Sequence, residues 1–240
     1  MSKYIVNPEP IRTGLIAEYK KETCAPTFGW MDTTTNKTDL FGSAPAFPVL
    51  DGVIDSFESM VPTNLMLGPN QTVEAWMKTT NSGGKYLVSA TDISSGIFTP
   101  GFLALRNNGA VAGGVTLSAM PDLDAANWQT LRLRATSAIN DGVWHHVAFT
   151  VSYDPVGLQT TLTCYVDGVA ESTRTPMADP NGEDQTFQPA GVVQKLNIGV
   201  NTWGSNYWDG SVDELRLYDK ALSADEIMNN YKAGYGGAHQ

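Results

Sequence analysis

Apolar and polar positions alternate in short runs along most of this chain. Val73, Ala75 and Met77 are separated by Glu74, Trp76 and Lys78, a period of two that predicts a strand with one apolar and one mixed face. Leu131, Leu133 and Ala135 alternate with Arg132 and Arg134 in the same way. Leu158, Thr160, Leu162, Cys164 and Val166 form another such side, with Cys164 read as a buried thiol. Further strands are predicted over 15–19, 86–90, 102–106, 110–117, 143–151, 196–199 and 211–219. In the last of these, Asp213, Leu215 and Leu217 are placed on one face.

Turn chemistry punctuates these runs. Asn107-Asn108-Gly109 and Asp167-Gly168 supply residues that tolerate positive φ, as tight hairpins require. The threonine-rich run Met31–Asp39 reads as a loop or a weak edge strand, and Pro176–Gly191 as a long polar loop. Only near the C-terminus does the period change. Ser223 with Glu226 makes a capping box, Leu222 staples onto Ile227 and Gly234 offers a stop, so one short helix is predicted over 224–233. The fold class that follows is all-β: an antiparallel two-sheet sandwich with one short C-terminal helix, occupying 14–240 as a single domain. Residues 1–13 form an arm expected to lie against its own sandwich or a neighbouring subunit.

Composition narrows the function classes. Among 240 residues, 15 basic against 25 acidic groups give a net charge of −10, with no basic cluster, so nucleic acid is not an expected partner. Two cysteines make no disulfide framework. The first residues carry no apolar signal-peptide core, and no stretch approaches the roughly 18 apolar residues of a membrane span. The expectation is synthesis in the cytoplasm, with no membrane partner.

Five segments carry a family resemblance: Gly14-Leu15-Ile16-Ala17-Glu18-Tyr19; Val73-Glu74-Ala75-Trp76-Met77; Trp144-His145-His146-Val147-Ala148; Tyr165-Val166-Asp167-Gly168; and Gly210–Tyr218 running into Ala221–Ile227. In this order they resemble a concanavalin A-like jelly roll of the laminin-G-like or pentraxin-like branch. The resemblance implies the jelly-roll form of the sandwich and leaves function open, since lectins, glycosidases, adhesion modules and virion proteins share it. Trp144 is expected to plug the sandwich, and His145, sharing a face with Val147 and Phe149, to be a hydrogen-bonded core imidazole.

Tests for chemistry give few candidates. Laminarinase-type relatives carry Glu-x-Asp-x-x-Glu on one strand, which is absent here, and Asp213-Glu214 point to opposite faces. No Gly-x-Ser-x-Gly, His-Glu-x-x-His or phosphate-loop motif occurs. Pentraxin-like relatives hold calcium just after the strand matching Leu196–Gly199, where this chain has Val200-Asn201-Thr202 without carboxylates. No cofactor is expected; calcium stays open at Asp213, for which backbone or arginine partners are favoured, and in the loop at Asp179, Asn181, Glu183 and Asp184. The segment from Asn201 to Asp209 mixes aromatics with amides. Asn201, Trp203, Asn206, Tyr207 and Trp208 are therefore the candidate contact residues, either for glycan rings or for another subunit, with Tyr207 and Trp208 alternatively closing the core.

The resulting expectation is a non-catalytic structural or adhesion module on a virus particle, as a bacteriophage capsid decoration or tail-associated protein. Its partners would be subunits of a larger assembly, through the N-terminal arm, and cell-surface glycans. Two alternatives remain: a free lectin-like protein, reaching the outside by a non-Sec route, and a glycosidase with scattered carboxylates.

Overall fold

The computed structural model describes residues 12–13, 15–19, 24–25, 29–30, 41–43, 49–53, 56–58, 66–67, 70–91, 103–106, 112–119, 131–157, 159–174, 191–192, 195–201 and 204–235. In chain order the strands are β1 (Leu15–Tyr19), β2 (Cys24–Ala25), β3 (Gly29–Trp30), β4 (Phe41–Ser43), β5 (Val49–Asp51), β6 (Ser56–Glu58), β7 (Met66–Leu67), β8 (Gln71–Lys78) and β9 (Tyr86–Thr91). They continue as β10 (Leu103–Arg106), β11 (Thr116–Ala119), β12 (Leu131–Arg134), β13 (His145–Asp154), β14 (Gln159–Val166), β15 (Val169–Arg174), β16 (Gly191–Val192), β17 (Lys195–Ile198) and β18 (Asp209–Tyr218), and helix α1 spans Ala224–Tyr235. Most of the arm (1–11), the run Met31–Asp39 and the loop 176–190 lie outside the described residues.

Two antiparallel sheets make the sandwich. The first runs β1-β18-β8-β13-β14-β15, with β5 also pairing with β18; the second runs β12-β11-β10-β9-β17-β6-β4. Val73, Ala75, Met77, Val147, Phe149, Val151, Leu162 and Cys164 from the first meet Phe57, Val88, Leu133, Leu196 and Ile198 from the second, all buried. Each large aliphatic or aromatic side chain so buried stabilises the fold by about 1.5–3 kcal/mol. Cys164 is a free thiol, and burial pushes its pKa up, which keeps it unreactive.

One of the two expected hairpin turns falls on described residues. Asp167 and Gly168 sit at φ 51° and 78°, and Val166 pairs with Val169 across them, as the primed turn demands. Arg106 pairs with Thr116 where β10 meets β11, and the Asn107-Asn108-Gly109 step lies outside the described residues.

The mixed face of β8 is buried too. Every residue from Gln71 to Met77 is shielded, because α1 and the residues leading into it lie over the outer face of this sheet, with Leu222 and Ile227 packed on Ala148, Tyr165 and Tyr218. The capping box is formed: Ser223 N donates to Glu226 Oε2 at 2.9 Å and Glu226 N to Ser223 Oγ at 3.3 Å. Gly234 is not a stop. It lies inside the helix, against Trp76, where an added Cβ would collide with the indole.

Beneath α1 sits a layer of charge. Glu74 Oε1 accepts from Arg216 Nη1 (3.2 Å), Tyr218 Oη (3.2 Å) and Asn230 Nδ2 (2.9 Å), while Glu74 Oε2 lies 3.5 Å from His146 Nε2. Trp76 stacks on Tyr231 at 5.6 Å with the ring of His146 beside both. Burial alone would raise the Glu74 pKa. The closeness of His146, the charge of Arg216 and the Asn230 bond outweigh it, so the carboxyl is held below its usual value.

Two expectations are corrected here. Asp213 does not share a face with Leu215 and Leu217: Asp213 pairs with Trp76 and Arg216 with Glu74, so β18 bulges between them, with Glu214 at φ +49°. Val212, Leu215 and Leu217 enter the core, and Asp213 is turned to the outer side, where its Oδ1 accepts from Glu214 N at 2.7 Å. Trp144 is half-buried at the mouth of β13, and among the described residues the fully buried tryptophans are Trp76 and Trp208.

Candidate functional site

One end of the sandwich collects the connections 52–53, 79–85, 140–144, 167–168 and 199–208. Strand ends decide this: β5 and β8 finish there, β13 and β18 begin there, and Asp209 pairs with Asp51 at the lip. Four Asp-Gly steps, at 51–52, 141–142, 167–168 and 209–210, fall at this end, each glycine with positive φ.

The 199–209 connection is held by its own backbone. Asn201 Oδ1 accepts from Ser205 N and Asn201 Nδ2 donates to Ser205 Oγ, both at 2.9 Å, closing a tight turn through Gly204. Gly199 N donates to Leu87 O, Trp208 N to Gly199 O and Tyr86 N to Asn206 O, which ties the loop to β9. The apex Gly204-Ser205-Asn206 is exposed, Tyr207 is half-buried and Trp208 is fully buried in the core.

Of the five expected contact residues, the structure leaves Asn206 and Tyr207 at the surface. Asn201 and Trp208 are corrected to supports: the first is 3% exposed and pins the turn, the second is 0% exposed and plugs the core below it. Trp203 lies outside the described residues, as do Asp179, Asn181, Glu183 and Asp184. Asp213 belongs to the helix-covered sheet and is met by a backbone N–H, not by this end. Among the described residues no three His, Cys, Asp or Glu side chains converge as metal ligands.

Other polar groups, from distant segments, complete the rim. Asn81 Nδ2 donates to Asp209 Oδ2 at 3.3 Å, Thr79 Oγ1 to Asp209 O at 2.6 Å, and Lys85 Nζ to Gly52 O at 3.4 Å. Gly52 packs directly on the Asp209 side chain, at φ +73°. Asn81, Lys85, Asp51 and Asp209 escaped the sequence reading because 130 residues separate Thr79 from Asp209. The Gly-rich polar run 79–85 and the recurring Asp-Gly steps were the available signals.

Beside this rim, the histidine motif is wired as framework. His145 Nδ1 lies 2.9 Å from Asp167 Oδ2 and its Nε2 3.2 Å from Asp141 Oδ1; Asp167 Oδ1 accepts from His146 N at 3.0 Å. The hydrogen-bonded imidazole expected at His145 is present, at the edge of the core rather than within it. What the rim offers chemically is a rigid set of amide, carboxylate and ammonium groups around a tyrosine face, the combination that reads hydroxyl-rich ligands.

Comparison with known proteins places the architecture. No curated protein matches the sequence. Domain 4 of AbnA, an extracellular arabinanase from Geobacillus stearothermophilus solved with arabinotriose, is 20% identical with a TM-score of 0.60, over 90% of this chain and 98% of that one. A heptameric SAP-like pentraxin from Limulus polyphemus is 16% identical with a TM-score of 0.50, over 72% and 73%. The binding domain of botulinum neurotoxin DC, solved with rat synaptotagmin II, is 10% identical with a TM-score of 0.59; this chain is covered over 92% and spans about half, 52%, of that chain. At these identities the likeness is one of fold. A laminin G family model matches residues 51–228, more than half of the chain, and with the two-sheet sandwich it establishes that the chain belongs to the concanavalin A-like lectin/glucanases superfamily.

Proposed function

We propose that this chain is a non-catalytic adhesion module that binds carbohydrate at the loop rim, through Asn81, Lys85, Asn206, Tyr207 and Asp209. The observation that carries the reading is the Asn81–Asp209 pair. An amide and a carboxylate held side by side present a donor and an acceptor to neighbouring hydroxyls, next to an aromatic ring on a loop fixed by hydrogen bonds within itself and to β9. A prebuilt site of this kind loses little entropy on binding. The arabinanase domain, similar in fold over nearly its whole length, was solved with a short sugar chain, which supports the same ligand class.

The one fully buried glutamate described, Glu74, supports the non-catalytic part. It is enclosed beneath α1 and bonded to Arg216, Tyr218 and Asn230, so it has no access to substrate.

A glycan array followed by calorimetry on the best binder tests the proposal. Tyr207→Ala and Asp209→Ala should each weaken binding at least tenfold without unfolding the chain. Retention of no glycan, or affinity indifferent to both changes, would overturn it, and polysaccharide turnover lost with one carboxylate would replace it by the glycosidase reading. Residence on a phage particle, with the arm docked on neighbouring subunits, is a narrower proposal resting on the sequence. Mass spectrometry of purified particles is its test.

A further inference from the structure

His145 has a carboxylate at each ring nitrogen. Asp167 Oδ2 faces Nδ1 at 2.9 Å and Asp141 Oδ1 faces Nε2 at 3.2 Å, with the imidazole side chain 15% exposed. An ionised carboxylate only accepts, and a neutral imidazole has one N–H and one lone pair. Both contacts can therefore be hydrogen bonds only when the ring carries both protons. We infer that His145 is an imidazolium clamp fastening the Asp141–Trp144 segment to the Asp167–Gly168 turn, and that loss of its second proton releases this part of the rim.

Each carboxylate passes the clamp on to backbone. Asp141 Oδ1 also accepts from Val143 N at 3.0 Å, and Asp167 Oδ1 from His146 N at 3.0 Å, while Asp167 N donates to His146 O at 2.8 Å. The two sides differ in freedom. Asp141 is 58% exposed and Asp167 37%, so when one bond must go it is the longer one, to Asp141, whose carboxylate can turn into water. The freed segment holds Val143, 53% exposed, and the half-buried Trp144, and Gly142 N donates to Thr79 O at 3.1 Å, in the loop that carries Asn81.

The charged groups bearing on His145 are Asp167, from the turn after β14, and Asp141, from the segment before β13. β8 opposes it with Met77, which does not titrate. The Asp167 bond works against burial, and the Asp167 charge and the Asp141 bond and charge add to it, so the His145 pKa rises above 6.5. Asp141 in turn is held below 3.8, first by the Val143 N–H, against burial, and then by His145, so it is ionised throughout. A group with a raised folded pKa gives stability that is complete below its unfolded value and fades as pH climbs through the folded one. The clamp is closed in mild acid and opens toward alkaline pH. It stands whether or not the rim holds sugar.

Nitrogen-15 NMR of the full chain from pH 5 to 9 tests this, with the His145 ring identified by its loss in His145→Gln. Both ring nitrogens should be protonated at pH 6.5, with a midpoint above that value. Hydrogen exchange at Val143 N should rise across the same midpoint by more than the tenfold per pH unit of base catalysis. Asp167→Asn should lower the midpoint. Asp141→Asn is the second variant: its Oδ1 can still accept from Val143 N, but a neutral amide no longer favours the imidazolium, so the midpoint should fall and the rise in Val143 exchange should move with it. A single-tautomer neutral ring at pH 6.5, or Val143 protection that ignores the His145 titration in the wild type, would overturn the inference.

Discussion

Two neighbouring histidines on β13 look into two different solvents. His146 points under α1, fully buried against Glu74, Trp76 and Tyr231, where every charge must find its partner inside the protein. His145 points to the loop rim, where its two aspartates are also wetted. The same residue types thus do different things. Under the helix, losing one partner strands another in a low dielectric, whereas at the rim water takes the vacated place. The covered face ties its charges to one another, and the rim leaves its charges in contact with water.

The strongest way to break this contrast is to remove one charge beneath α1. Arg216→Met leaves Glu74 buried without its cation and should cost about 3–5 kcal/mol in a chemical melt, against under 1 kcal/mol for an exposed pair. Acid should act in the same direction. Glu74 is held below its reference value of 4.5, so its contribution is present above that pH and is lost as pH falls through the depressed folded value. A flat stability profile between pH 5 and 3, together with a mild Arg216→Met, would place the covered face on the same footing as the rim.

The tryptophans sharpen the same comparison. Trp208→Ala empties a fully buried site and should cost about 3–5 kcal/mol, while Trp144→Ala, from a half-buried position, should cost clearly less. The reverse order in thermal melts would return Trp144 to the core. Gly234→Ala comes next. Its methyl meets the Trp76 indole, so the gain in helix propensity of about 1 kcal/mol should be overturned by overpacking, for a net loss of about 1–2 kcal/mol.

How much of this was readable beforehand follows the range of each interaction. The β8 alternation, the Asp167-Gly168 turn and the Ser223–Glu226 box are written within a few residues, and all are present. That Glu74 and Trp76 are buried is not written in β8, because the cover comes from a helix 150 residues on. Asp213 was put on the wrong face because a bulge shifts the period, and its left-handed residue is Glu214, where nothing local asks for positive φ. The loop of Asn206 and Tyr207 was visible as an aromatic and amide mixture, but Asn81 and Lys85 join it only through the antiparallel pairing of β8 with β18 and the hold of β9 on the loop.

The smallest effect on folding is the one most diagnostic of function. Asp209 is exposed, and its side chain is met by Asn81 at 3.3 Å, a surface contact worth little to stability. Asp209→Asn keeps the shape and the neighbour but exchanges an acceptor for a donor, so the melting midpoint should correspond to a change within about 0.5 kcal/mol. A sugar hydroxyl that had donated to the carboxylate would then face an N–H, and affinity should fall tenfold or more, with the heat of binding falling too. Asn81→Asp restores one acceptor beside the new amide. If binding recovers in the double variant while neither change moves the melt, the pair is read by the ligand as a unit and the rim is a recognition surface independent of the fold beneath it. Loss of stability in step with loss of affinity would instead make Asn81 and Asp209 one more fastening of the loop, and the contrast with the helix-covered face would fail.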